Sequence, residues 1–169
     1  MIERLEGTRG LVVVKRAIDE DTLNIAMQAF SLLRPKEELE SNYRHFVTDT
    51  PTSELELVAN RISSVVFGNM SDEMNGQFRY ALVYRDGEGI HPHRDTNDEG
   101  GFRVALCLFG SGTFFTSMLG QTIDSIDTSP GDLIIQDLGK GVEHGVNPIN
   151  GSGGRVTMVW DFHEIFDKK

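Results

Sequence analysis

Hydrophobic positions along the chain change their period once, near residue 78, and that change separates a helical part from a sheet-forming part. Gly10-Leu11-Val12-Val13-Val14-Lys15 is a short continuous apolar run, the signature of a buried strand. Behind Asp19, a residue suited to an N-cap, Leu23, Ala26, Met27, Phe30 and Leu33 recur at helical spacing, and Pro35 is expected to stop that helix. Ser53 with Glu56 three positions later has the form of a capping box, and Leu55, Val58, Ile62, Val65 and Val66 give a second amphipathic helix ending near Gly68. The polar stretch 36–51 reads as loop with one short strand around 43–47, and 68–77 carries no period.

From residue 78 onward the pattern is that of strands: 78–85, 102–109, 113–118, 121–126, 133–136 and 156–162. Asp86-Gly87, Gly100-Gly101, Gly110-Ser111-Gly112, Ser129-Pro130-Gly131-Asp132 and Asn150-Gly151 punctuate them with turn chemistry. Short strands at such spacing predict an antiparallel sandwich or barrel. The expected fold is therefore mainly β, α+β by order: a double-sheet jelly roll with two N-terminal helices packed on one sheet. No repeat or linker divides residues 1–169, so one domain is expected, with 1–77 supplying strand, helices and loops and 78–163 the β core.

Composition narrows the function more than the fold. A formal charge of -10 and a pI near 4.9 leave no basic surface with which to displace counterions, which disfavours a nucleic-acid partner. A single cysteine, Cys107, excludes an internal disulfide; within an apolar run it reads as a buried, inert thiol suited to a reducing cytoplasm. Neither a signal-peptide core nor a run of about 18 apolar residues is present, so the sequence reads as cytoplasmic, without a membrane span.

The chemistry gathers in Ile90-His91-Pro92-His93-Arg94-Asp95. In an extended segment His93 and Asp95 point the same way, about 6–7 Å apart along the strand. That pair can close on one cation if a third ligand arrives from elsewhere, and His144 offers it. Two histidines and one carboxylate with open positions opposite are the facial triad of non-haem Fe(II) oxygenases. Farther on, Arg155, Thr157, Val159 and Asp161 share one face of the last strand, while Val156, Met158, Trp160 and Phe162 form the core face. An arginine pointing inward must find an anion. A dicarboxylate gripped by the guanidinium, with the Thr157 hydroxyl assisting, meets that need; so does an internal ion pair with Asp132 or Asp161.

His93-Arg94-Asp95, then His144, then Arg155 resembles the H-x-D…H…R order of the Fe(II)/2-oxoglutarate dioxygenase superfamily. More narrowly, Tyr84 through Asp95 and Gly131 through Pro148 look like the AlkB-like branch. The resemblance spans residues 80–162 and implies a double-stranded β-helix, the jelly roll already expected. It implies Fe(II), 2-oxoglutarate and O2, with His93, Asp95 and His144 as metal ligands and Arg155, Thr157 and Tyr84 holding the cosubstrate. No catalytic residue is expected beyond the metal centre. The activity implied is hydroxylation or oxidative demethylation of a substrate C–H, releasing succinate and CO2. The substrate stays open among a modified nucleobase, an amino acid or small metabolite, and a protein side chain. Two positions depart from the branch: Leu82 stands where it has asparagine, and Asp161 where it has a second arginine. The retained Asp95 argues against a halogenase.

Around this set, His91 is expected near the substrate entrance, and Asn147 or Asp132 are candidates to support His144. His45 and His163 carry no expected role. A cupin-like metal- or ligand-binding barrel without oxygenase activity is the rival reading, drawn from His91-Pro92-His93 with Glu99 and from Glu143-His144. Such a barrel needs neither Asp95 nor Arg155.

Overall fold

In the computed structural model, which describes residues 2–4, 10–36, 43–95, 100–151 and 153–165, the apolar pattern resolves into two facing antiparallel sheets. In chain order the elements are β1 (Ile2–Arg4), β2 (Leu11–Val14), α1 (Glu20–Ser31), β3 (Arg34–Pro35), β4 (Arg44–Val47), α2 (Ser53–Phe67) and β5 (Met74–Tyr84). There follow β6 (Ile90–Arg94), β7 (Phe102–Phe109), β8 (Gly112–Met118), β9 (Gln121–Thr128), β10 (Leu133–Asp137), β11 (Glu143–Val146) and β12 (Arg155–Glu164). The major sheet runs β1-β2-β10-β7-β12-β5-β4-β3 and the minor sheet β6-β11-β8-β9. Helices on one face of the larger of two stacked antiparallel sheets are the jelly roll that the sequence leads one to expect.

Alternation along the major sheet sorts its side chains into two interiors. Met158, Trp160 and Phe162 of β12, Val104, Leu106 and Leu108 of β7, and Leu133 of β10 pack beneath the helices. Arg155, Thr157 and Val159 of β12, Arg103 and Ala105 of β7, and Ile134 and Gln136 of β10 face the minor sheet instead. Removing Met158, Trp160 and Phe162 from water contributes roughly 1.5–3 kcal/mol each. Those three residues therefore pin β12, and with it the phase of the opposite face. A bulge in β5, where Val159 pairs with Tyr80 but Trp160 with Phe78, resets the alternation so that Tyr80 joins the inner face.

The helices turn slightly differently from the expectation. On α1 Thr22, Ala26 and Ala29 are buried, Leu23, Phe30 and Leu33 pack in or against the core as expected, and Met27 is 43% exposed. On α2 they are Leu55, Val58, Ala59, Ile62 and Ser63, and Val65 is exposed. Small residues on both contact faces let the helices lie close to a sheet already crowded with large side chains. Asp19 caps α1, its carboxylate accepting from the Thr22 N–H at 2.8 Å. The cap of α2 is Thr52 rather than Ser53: Thr52 is extended and its hydroxyl accepts from the Leu55 N–H at 3.3 Å, so Ser53 is the first helical residue. Pro35 does not stop α1, which closes earlier with a tight turn from Leu32 N–H to the Ala29 carbonyl. It lies on β3, an outermost strand, where a missing N–H costs no ladder bond. Residues 68–73 form a 3-10 turn, and β5 begins at Met74, four residues before the expected strand. Among the described residues, no helix is long and apolar enough to cross a membrane.

Gly145 shows how tightly the minor sheet is drawn. A Cβ there would stand 2.5 Å from the Ile90 carbonyl oxygen and 2.5 Å from the Phe115 ring. Gly145→Ala is expected to cost about 1–3 kcal/mol by forcing β11 away from its neighbours. Thermal melts followed by circular dichroism should show it as roughly 2–4 °C of Tm per kcal/mol.

Candidate metal centre

β6 and β11 pair so that His144 stands opposite His93 and Glu143 opposite Arg94. Val146 then meets Ile90, so β6 holds one residue more than β11 over the same span. This bulge falls at His91-Pro92, where proline has no N–H to offer the ladder. It shifts the alternation by one: Ile90 and His93 both face the space between the sheets. His91, expected near the substrate entrance, is not among the residues lining that space; it turns outward and is exposed in a shallow outer hollow with Pro92 and Phe115. Its carbonyl still serves the site, accepting from His93 Nδ1 at 3.0 Å.

The expected triad comes together. His93 Nε2 is 3.6 Å from Asp95 Oδ1, and His144 Nε2 is 3.6 Å from Asp95 Oδ2. One ligand atom from each residue lies within 4.8 Å of the others. His144 Nδ1 makes the matching bond to the Val142 carbonyl at 2.9 Å. A carbonyl only accepts, so both rings donate from Nδ1 and turn Nε2 to the gap, the orientation a cation requires. Burial, with Phe114 stacked at 5.4 Å, holds the His144 pKa below its ordinary 6.5 against the backbone hydrogen bond that raises it. Two imidazoles converging on a carboxylate are a donor set that fits a divalent ion.

The support expected from Asn147 or Asp132 is supplied instead by Val142. Asn147 is exposed, with its N–H given to the Thr113 carbonyl. Asp132 binds Lys15 Nζ at 2.6 Å and accepts from the Arg16 and Ser129 N–H groups, which ties down the turn before β10.

Arg155 lines the same cavity, of about 240 Å³. It is 1% exposed and no described carboxylate pairs with it. Nε donates to Thr157 Oγ1 at 3.3 Å, the guanidinium carbon is 6.0 Å from the Tyr84 ring centroid, and Nη1 makes no hydrogen bond. The two internal acids that might have neutralised it are engaged elsewhere, Asp132 as above and Asp161 by Arg103. Gly112 closes in on the other side: a Cβ there would lie 2.6 Å from Nη1. Tyr84 is buried, and that burial raises its phenol pKa despite the opposing charge of Arg155, so the hydroxyl remains a donor. Leu82, Ala105, Ile134 and Val159 make the apolar part of the wall. Cys107, opposite Thr157 in the β7–β12 pairing, is fully buried, its thiol pKa pushed up by desolvation.

Several lining residues had no expected role. Arg103 reaches Asp95 at 2.9 Å, and Gln136 is buried with an amide nitrogen that has no partner. His45 lies in the wall between Tyr43 and Tyr80, its ring 5.3 and 5.1 Å from theirs. For Arg103 and Gln136 there was a signal: each interrupts an apolar run of its strand, on the face opposite the helices. His163 is not part of the cavity lining. Glu99, the acid of the cupin-like reading, lies outside the described residues.

No family model and no curated relative matches the sequence. Solved structures do share the fold. HygX from Streptomyces hygroscopicus, crystallised with nickel and 2-oxoglutarate, has a TM-score of 0.68 at 10% identity, covering 94% of this chain and 84% of its own. A 2OG-Fe(II) oxygenase family oxidoreductase from Burkholderia pseudomallei gives 0.65 at 17% identity over 92% and 85%. OsALKBH1 gives 0.68 at 14% identity over 95% and 100%. HygX and OsALKBH1 are equally similar, so the likeness shows the shared fold and selects no branch.

The depressed His144 pKa has a sign that can be tested. The folded chain resists protonating His144, so the stability it contributes is complete above about pH 6.5 and is lost as pH falls below that value toward the lower folded pKa. Urea titrations of metal-free protein between about pH 7 and 5.5 should show a decline in unfolding free energy that His144→Phe flattens.

Proposed function

We propose that this chain is an Fe(II)- and 2-oxoglutarate-dependent dioxygenase that oxidises a substrate C–H. One observation carries the reading: a two-histidine, one-carboxylate cluster shares a cavity with a buried arginine that no described carboxylate neutralises. An isolated buried guanidinium is costly unless an anion completes it. The triad alone suits many metal proteins; the waiting arginine asks for a ligand with a carboxylate to spare.

His93, Asp95 and His144 are the residues to hold the iron, leaving positions open on the opposite side. Arg155 would receive the distal carboxylate of 2-oxoglutarate, a role supported by its burial, by the Thr157 hydroxyl beside it and by the neutral Tyr84 phenol along its flank. Gly112 keeps space for that grip, since a side chain there would displace Nη1. The apolar walls at Leu82, Ala105, Ile134 and Val159 exclude water and strengthen the electrostatic hold. When bound, iron and cosubstrate supply dioxygen activation, with 2-oxoglutarate leaving as succinate and CO2 while the substrate carbon is hydroxylated, or demethylated if it sits on nitrogen. HygX, of the same fold, holds nickel and 2-oxoglutarate, which supports the pairing of these two ligands.

Within the superfamily we favour the AlkB-like branch, on the run from Tyr84 to Asp95 and the region from Gly131 to Pro148. Leu82 and Asp161 depart from it, and the charge of -10 weighs against a nucleic-acid substrate. An amino acid or small metabolite and a protein side chain are the other two classes.

Protein loaded anaerobically with Fe(II) and 2-oxoglutarate and then given air should form succinate slowly without added substrate. Arg155→Ala should remove that turnover. Gly112→Ala should weaken 2-oxoglutarate binding in calorimetry, by roughly tenfold for about 1.4 kcal/mol of lost contact. Metal binding without 2-oxoglutarate binding in the wild type would overturn the reading and leave the cupin-like barrel.

A further inference from the structure

The three triad residues are not oriented by the same means. Each histidine is fixed by its strand and by a carbonyl two residues before it. Asp95 follows the last residue of β6, outside the ladder, and among the described residues no backbone group bonds its carboxylate. A side chain from the other sheet reaches it instead.

We propose that Arg103, anchored by Asp161, is the positioning residue for Asp95. The proposal rests on the metal-centre reading above. Arg103 is one half-buried guanidinium with both edges occupied. Nε and Nη2 form a bidentate pair with Asp161 Oδ1 and Oδ2 at 2.7 and 2.9 Å, while Nη1 reaches Asp95 Oδ2 at 2.9 Å. The planar fork makes this a rigid bracket, because fixing one edge on Asp161 fixes where the other points. Asp161 is itself 3% exposed, stands opposite Arg103 in the β12–β7 register, and is reached from outside by Arg79 Nε at 3.3 Å. The Tyr80 ring lies 5.9 Å from the Arg103 guanidinium carbon. The bracket thus runs from the centre of the major sheet to the residue that follows β6 of the minor one.

Two consequences follow for the carboxylate. With Oδ2 engaged by Arg103, Oδ1 is the Asp95 oxygen that no described guanidinium holds, and it lies 3.6 Å from His93 Nε2. The bracket also explains why Asp161 is an acid where the resembling sequences have arginine. The arginine comes from the adjacent strand, and an acid at 161 is what holds it.

The test uses Co(II) and Ni(II) as probes, without 2-oxoglutarate or oxygen. Calorimetry and the Co(II) visible spectrum would be recorded for wild type, Arg103→Lys, Asp161→Asn and the double variant Arg103→Met/Asp161→Asn. The double variant leaves neither partner charge buried alone, and Arg103→Lys keeps the cation, so a folded comparison is available even if one variant is unstable. Metal affinity should fall roughly 10–100-fold in the double variant, with a changed Co(II) spectrum, as for loss of other groups that orient a ligand. Arg103→Lys should also bind weakly, because an ammonium lacks the fork that spans two carboxylates. Asp161→Asn should give a smaller loss, one not additive with loss of Arg103. Wild-type affinity and spectrum in the folded double variant would overturn the positioning role while leaving the metal centre intact. Failure of the wild type to bind either metal would overturn both.

Discussion

The candidate site depends first on the side-by-side pairing of β6 and β11. That register puts His144 opposite His93 with ring centroids 4.5 Å apart, bringing together two residues that are distant in the sequence. It also demands Gly145, because the middle of β11 is pressed between the Ile90 carbonyl and the Phe115 ring. The rest of the site arrives from the other sheet. Arg103 comes from β7 and Arg155 from β12, each on the inward phase that Met158, Trp160 and Phe162 enforce by filling the space beneath the helices. The helices carry no chemistry at this site, yet the phase of β12 rests on their packing.

Buried charge is distributed with a clear division of labour. Asp132 and Asp161 are nearly inaccessible and each is answered in full, by Lys15 and two backbone N–H groups in one case and by two arginines in the other. Arg155 is equally inaccessible and is left with one nitrogen unsatisfied. A structure able to neutralise its other buried ions has left this one incomplete at the wall of a cavity. Stability alone gives no reason for that, since a buried, partly unsatisfied cation is destabilising. Ligand binding does.

Much of this was legible in the residues. Alternation along β12 separated Arg155, Thr157 and Val159 from the core side chains, and H-x-D with a distant histidine located the triad before any contact was known. What escaped is what alternation cannot encode. The bulge at His91-Pro92 reverses the facing of His91, and no count of two-residue periods reveals it. Arg103 sits among apolar neighbours in β7, and its partners lie on two other elements, so its role is invisible until the sheet is assembled. Met27 and Val65 follow the helical period but fall at the edge of the stripe, where the distance to the sheet decides burial. The shift of the α2 cap from Ser53 to Thr52 is a one-residue ambiguity between two hydroxyls, resolved by which of them is extended.

The tautomer of each imidazole is set by a peptide carbonyl, that of His91 for one ring and that of Val142 for the other. A carbonyl is common to all amino acids, so residues 91 and 142 can change identity without altering that instruction, provided the backbone keeps its path. Mutational drift therefore finds little purchase on the most orientation-sensitive part of the site. The strands and the bulge hold that instruction, and the side chains around it are left free to differ.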